Sequence, residues 1–355
     1  MQVLTLSRGN LLEANAEALV NTVNCVGVMG KGVALQFKQA FPQNFSVYQR
    51  ACRQNEVQPG RMLIVPTTGI GNPKYIINFP TKRHWKARSL LTDISSGLDT
   101  LVEDVRRLGI RSIAVPPLGC GNGGLDWRDV EPLIRAALEQ LPDVHALVFE
   151  PHDAPTGASM PVRTNRPIMT RARALLLLLL AYYRGGGYRS TLLEVQKLAY
   201  FLQAAGEPLQ LDYGKHKYGP YAENLNHALQ RIEGHFIRGY GDRSQRAEIQ
   251  LMPGALEEAE CLLGEDYDVT DRLQRVSRLI EGFATPYGME LLATVHWVAS
   301  ESPNQTASDG AVVQRVQEWS ARKGELFTAQ HIAIALTHLG AEGWLPPDQA
   351  DPVLV

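Results

Sequence analysis

The chain has 355 residues, enough for two domains that each bury a sizeable core. Its 45% hydrophobic and 20% charged content is ordinary for a globular protein and excludes a disordered or fibrous chain. A net charge of -2 excludes a global nucleic-acid-attracting field, so any such partner must be met by a local patch.

Short apolar or β-branched runs predict strands at Val3–Leu6, Leu19–Val23, Arg61–Val65, Tyr75–Phe79, Ser112–Val115 and Ala146–Phe149. Between them lie helical patterns. Leu90, Leu91, Ile94, Leu98, Leu101, Val102, Val105 and Leu108 form an apolar stripe, with Ser89 placed to cap it and Gly109 to end it. A second helix is expected after Asp126, with Pro132 near its start. Strands alternating with helices predict a three-layer α/β domain over residues 1–152.

Residues 153–167 are proline-rich with no apolar period and read as a linker. Residues 168–355 are mainly helical, with stripes such as Leu192, Val195, Leu198, Ala199 and Leu202, and Leu273, Val276, Leu279, Ile280 and Phe283. The apolar run Ala174–Tyr183 is far too short for a bilayer span and reads as a buried helix, so no membrane association is expected. Cys25, Cys52, Cys120 and Cys261 are too dispersed for a metal knuckle or a disulfide framework, and no secretory signal opens the sequence. A cytoplasmic protein needing neither metal nor cofactor is expected.

Three glycine-bearing segments follow predicted strands: Arg8-Gly9-Asn10-Leu11; Asn21-Thr22-Val23-Asn24-Cys25-Val26-Gly27-Val28-Met29-Gly30-Lys31-Gly32-Val33-Ala34; and Pro116-Pro117-Leu118-Gly119-Cys120-Gly121-Asn122-Gly123-Gly124-Leu125. Any one of them is explained by a tight turn. Together, at the strand ends where open α/β sheets bind ligands, they suit an anion such as a diphosphate. Gly27 to Gly32 is no Walker A loop, because Lys31 is followed by Gly32 rather than Ser or Thr. Cys120 lacks the following arginine of a phosphatase nucleophile loop and reads as a small loop residue.

These segments, in this order, resemble a macrodomain. Within that family they are most similar to the macrodomains of DarG antitoxins, which reverse DNA ADP-ribosylation by a DarT toxin. The resemblance implies a mixed sheet between helices and an ADP-ribose site. In that site Gly9, Asn10 and Leu11 lie near adenine, with Asn10 where many macrodomains carry aspartate. Asn21, Thr22, Val23, Asn24, Gly30, Gly32, Val33, Ala34, Leu35 and Thr81 are implied around the distal ribose, and Leu118, Gly119, Cys120, Gly121, Asn122 and Gly123 on the diphosphate. In Asn78-Phe79-Pro80-Thr81-Lys82, Lys82 matches a catalytic lysine, its pKa to be lowered by burial or by Arg83. Asp126 matches a residue that assists the breakdown of a covalent adduct, although it also stands where a helix N-cap belongs.

On composition alone Lys82 would be a solvated lysine. Arg83, His84, Trp85 and Lys86 form a basic stretch with an aromatic, suited to DNA or equally to a charged solvated loop. In the second domain, Leu192-Leu193-Glu194-Val195-Gln196-Lys197-Leu198-Ala199-Tyr200-Phe201 with Lys217-Tyr218-Gly219-Pro220-Tyr221 resembles a Panacea-type toxin-binding domain. The function implied is an antitoxin that removes ADP-ribose from thymidine in single-stranded DNA and holds its cognate ADP-ribosyltransferase toxin. The alternatives are a non-catalytic ADP-ribose reader, or an antitoxin that acts mainly by sequestration.

Overall fold

The computed structural model describes residues 3–69, 71–151, 160–187, 190–241, 248–264, 266–301 and 308–345. Two compact units are present: residues 1–166 with 241–245, and residues 167–240 with 246–355. Positions 153–159 of the expected linker lie outside the described residues, whereas Arg163 donates its N–H to the Gln39 carbonyl (2.9 Å) and lies over the Phe41 ring.

The first unit contains β1 (Val3–Ser7), β2 (Ala18–Asn24), α1 (Gly32–Ala40), α2 (Pro42–Arg53), β3 (Leu63–Pro66), β4 (Tyr75–Lys82), α3 (Leu91–Arg107), β5 (Ser112–Val115), α4 (Trp127–Leu138) and β6 (His145–Phe149). The strands form one sheet in the order β1-β6-β5-β2-β4-β3, parallel except for the antiparallel edge pair β3/β4. Ile94, Leu98, Leu101 and Val105 of α3 and Val130 and Ile134 of α4 bury one sheet face with Ile77, Phe79, Ile113 and Val115. On the other side Val33 and Phe37 of α1 pack with Leu19, Ile76 and Ala114, and Tyr48 and Ala51 of α2 with Val23 and Met29. This is the mixed sheet between helices expected of a macrodomain.

Gly97 lets α3 lie against β4, since a Cβ there would stand 2.3 Å from the Phe79 ring. Two local expectations are corrected. First, β4 runs to Lys82 rather than stopping at Phe79, because its pairing with β2 continues past a register shift to Asn24↔Lys82. Second, Ser89 does not cap α3. Leu90 occupies the cap without a side-chain bond, and the Ser89 N–H is instead taken by the Gly123 carbonyl (3.0 Å).

The second unit is mainly helical: α5 (Arg171–Gly185), α6 (Leu192–Ala204), α7 (Glu223–Ile232), α8 (Ala255–Leu263), α9 (Tyr267–Ile280), α10 (Pro286–Glu301), α11 (Asp309–Gln317), α12 (Ala321–Leu326) and α13 (Ala329–Ala341). A hairpin of β7 (Tyr213–His216) and β8 (Gly219–Ala222) interrupts them, and the strands β9 (Ile237–Arg238) and β10 (Gln250–Leu251) are only two residues each. The leucine run forms the buried body of α5, and α6 starts with a Thr191/Glu194 capping box. Among the described residues no helix is long and apolar enough to cross a membrane.

Candidate active site

Because β1, β6, β5, β2 and β4 are parallel, the loops that leave their C-terminal ends emerge on one sheet edge. β5 and β4 flank β2, which sets the third glycine segment and the Thr81-Lys82 strand end on either side of the second segment.

After β1, Gly9 takes φ +97, and Asn10 caps the short turn Leu11–Glu13. The Asn10 Oδ1 accepts from the Leu12 N–H (3.0 Å) and its amide donates to Glu13 (2.9 Å). A carbonyl oxygen accepts two hydrogen bonds, so one lone pair stays available to an adenine amino group.

After β2, Asn24 shapes its own loop. Its Oδ1 accepts from the Val26 N–H (3.0 Å) and the Tyr48 hydroxyl (3.1 Å), and its Nδ2 donates to the Val28 carbonyl (2.6 Å). Asn21 is fully buried and donates to Asn78 (3.0 Å), which exchanges amide bonds with Asn44 (3.1 and 2.7 Å). Asn21 therefore lies beneath the edge rather than on it. Gly30 and Gly32 lead into α1, whose cap residue Lys31 makes no side-chain cap bond. The Gly32 N–H donates to Gly241 of the same unit (2.8 Å). Val33 and Ala34 form the first helical turn, and Leu35 faces the core. Thr22 and Val23 lie on β2, with Val23 buried.

After β5, Leu118 is buried and Cys120 donates to the Leu118 carbonyl (3.5 Å), a packing role. Gly119 adopts φ +71, and Gly123 packs so closely that a Cβ would meet the Gly119 oxygen at 2.2 Å. Among the described residues no acceptor takes the N–H of Gly121, Asn122 or Gly123. Free N–H groups in a glycine turn are what an anion-binding nest is built from.

Lys82 closes the gap between two segments: its Nζ donates to the Asn122 carbonyl. Burial alone lowers its pKa, so Arg83 is not the cause that the sequence offered as an alternative. Thr81 beside it is buried, its hydroxyl donating to the Val23 carbonyl (3.4 Å). Cys25 grips the same strand end, its N–H on the Arg83 carbonyl (3.3 Å) and its thiol on the Lys82 carbonyl (3.3 Å). Asp126 caps α4 by accepting from the Arg128 N–H (2.9 Å) and pairs with the Arg128 guanidinium (2.6 Å). Those bonds hold its carboxyl down at about 2.

The loop after β4 is tied at both ends. Arg83 is paired with Asp93, and Arg88 donates to the Gly124 carbonyl (3.0 Å). Between them Trp85 is 42% exposed, with His84 stacked beside it (5.5 Å) and the Lys86 ammonium over its ring (4.8 Å). Tyr48 and Asn44 are site-building residues that the sequence did not single out, and Asn78 and Ser89 stood there only within a motif and as a helix cap. Among the described residues no group of His, Cys, Asp and Glu is arranged to hold a metal ion.

The Macro domain family matches residues 20–134. A Thermus aquaticus protein named DNA ADP-ribosyl glycohydrolase is 47% identical over 98% of this chain and 96% of its own. A solved structure, the macrodomain of Mycobacterium tuberculosis DarG, is 55% identical over 42% of this chain and 99% of its own, with a TM-score of 0.42. A Thermosipho africanus DNA ADP-ribosyl transferase–DNA ADP-ribosyl glycohydrolase fusion protein is 37% identical over 39% of this chain and 40% of its own. With near-complete coverage of a relative at that identity, the chain belongs to the DNA ADP-ribosyl glycohydrolase (DarG) family of macrodomain proteins.

Proposed function

We propose that the chain releases ADP-ribose from thymidine in single-stranded DNA, with Lys82 as nucleophile. The observation that carries this reading is the half-buried Lys82 amine, lowered in pKa and placed against the Asn122 carbonyl of the anion nest. The Lys82 lone pair forms a bond to the anomeric carbon of the distal ribose. The bond from that carbon to the thymine nitrogen breaks, and its electron pair leaves with the base, which takes up a proton. The resulting glycosylamine opens, its ring C–O pair going to the protonated ring oxygen, to an iminium; water adds to that carbon, the lysine departs and the ring recloses, giving free ADP-ribose and intact thymidine. The Asp126 carboxylate assists this second step; its exposed pairing with Arg128 is weak enough to exchange for a water. Gly9, Asn10 and Leu11 take the adenine end, the nest takes the diphosphate, and Trp85 and Lys86 take the neighbouring strand.

The helical unit is assigned to holding a cognate ADP-ribosyltransferase toxin. Support comes from its Panacea-like segments and from the relative in which transferase and glycohydrolase share one chain. The decisive experiment treats the protein with an ADP-ribosylated oligonucleotide and cyanoborohydride. A reduced ADP-ribosyl adduct on Lys82, absent from Lys82→Ala along with release, is expected; release by Lys82→Ala at the wild-type rate would sink the reading. A non-catalytic reader would release nothing even as wild type.

A further inference from the structure

The turn from Gly119 to Gly124 is pinned at almost every carbonyl. Gly119 accepts from the Leu125 N–H (3.1 Å), Gly121 from Gly124 (3.0 Å), Gly123 from Ser89 (3.0 Å) and Gly124 from Arg88 (3.0 Å). The Asn122 carbonyl differs, because it accepts from the Lys82 side chain. Beside it stands a second anomaly. Ser89 is only 5% exposed, and its buried hydroxyl has no partner among the described residues. A Cβ on Gly123 would lie 2.3 Å from that hydroxyl oxygen, so the two groups share one small space.

We propose that the Asn122–Gly123 peptide is a ligand-operated latch on Lys82, with the Ser89 hydroxyl as its second resting place. Without ligand, the carbonyl occupies the lysine amine. A diphosphate attracts the N–H of the same peptide, and turning the peptide toward phosphate withdraws the carbonyl from Lys82. The turn rotates ψ of residue 122 and φ of residue 123, and glycine at 123 tolerates either sign of φ. The withdrawn carbonyl accepts from the Ser89 hydroxyl, which gains the hydrogen bond it lacks; an unmade bond of this kind is costly to keep. Freed of the carbonyl, the amine can aim its lone pair at the anomeric carbon. Ser89 and Asn122 are thus positioning residues. The inference rests on Lys82 being the nucleophile, but its geometry is read without turnover.

Two measurements test it. In crystals of the wild-type protein with ADP-ribose, the Asn122 carbonyl should stand beyond hydrogen-bond distance of Lys82 Nζ and within it of Ser89 Oγ. Ser89→Ala should lower kcat on an ADP-ribosylated oligonucleotide about three- to tenfold, the weight of one hydrogen bond, with KM within about twofold. Its melting temperature should not fall, because the variant removes an unsatisfied buried hydroxyl; a merely structural serine would lose stability and activity together. An ADP-ribose complex with the carbonyl still on Lys82, or wild-type turnover by Ser89→Ala, would overturn the latch. If Ser89→Ala melts early, the wild-type complex decides alone. Failure of Lys82→Ala to lose release refutes the nucleophile assignment and is a separate outcome.

Discussion

The Arg83 guanidinium holds the Asp93 carboxylate at two points, Nη1 to Oδ2 at 2.5 Å and Nη2 to Oδ1 at 3.1 Å. Asp93 belongs to the first turn of α3, so the residue next to Lys82 is tied to a rigid element. Its carbonyl also accepts from Cys25, which leaves little play in the chain at Lys82. Asp93→Ala should therefore lower kcat about ten- to a hundredfold through misplacement of the amine. In Arg83→Ala the salt dependence of oligonucleotide binding should not change, because in the wild type Arg83 is occupied by Asp93. A shallower salt slope in Arg83→Ala would instead make Arg83 a phosphate contact.

Lys86 and Trp85 are the loop residues left to meet DNA. Lys86→Ala should reduce the slope of log affinity against log salt by about one contact's worth, near 0.7 for a single strand. Trp85→Ala should weaken oligonucleotide binding by about 1–3 kcal/mol if its exposed ring stacks on a base. Titration of a fluorescent oligonucleotide at several salt concentrations checks both. Unchanged affinity in Trp85→Ala would return the ring to a packing role against His84.

The pH dependence follows from the direction of the Lys82 shift. Only the neutral amine attacks, and burial lowers its pKa from 10.5. The rate should rise with pH along a limb whose midpoint lies below 10.5. No acidic limb from Asp126 is expected above roughly pH 4, because its carboxyl is held at about 2. A midpoint at or above 10.5 would show that the attacking amine is unperturbed or is not Lys82.

Asp126→Asn separates cap from chemistry. Asparagine caps helices as well as aspartate does, so the melting temperature should hold, whereas Asp126→Ala should melt lower for want of the cap. With its carboxylate gone, adduct breakdown should slow by about a hundredfold while adduct formation proceeds. Rapid quenching should then find the Lys82 adduct accumulating in Asp126→Asn. If it turns over like the wild type with no accumulation, Asp126 serves α4 alone.

Much of this site is legible in local sequence, because strand ends and glycine turns are encoded by neighbouring residues. The six strands, the Asp126 cap and the three glycine segments follow from such short-range signals. What could not be read is non-local. The Asn21–Asn78–Asn44 amide network joins residues 57 and 34 apart, and no spacing rule connects them. Ser89 was misassigned because a Ser before an apolar stripe is a good cap, yet Gly123 takes its N–H and the turn buries its hydroxyl. The Arg83–Asp93 pair, ten residues apart, likewise has no local signal in the sequence.

The second unit carries a prediction independent of catalysis. Lys197 is 1% exposed, donates to the Pro220 carbonyl (2.6 Å), and is pushed down to about 7 by burial and then by Lys323. Lys323 bonds to Glu290 (2.6 Å); burial lowers it too, against the raising influence of Glu290. In an unfolded chain Lys197 titrates near 10.5, so between about pH 7 and that value unfolding takes up a proton that the folded state lacks. Stability should therefore rise with pH across this window, by at most about 1.4 kcal/mol per pH unit from this lysine. Amide exchange of α6, corrected for its intrinsic pH dependence, should show increasing protection from pH 7 to 9. Lys197→Met should flatten that trend while keeping the side-chain volume, leaving the smaller contribution of Lys323. A wild-type profile that is flat or falls over this range would mean that Lys197 stays protonated in the folded state.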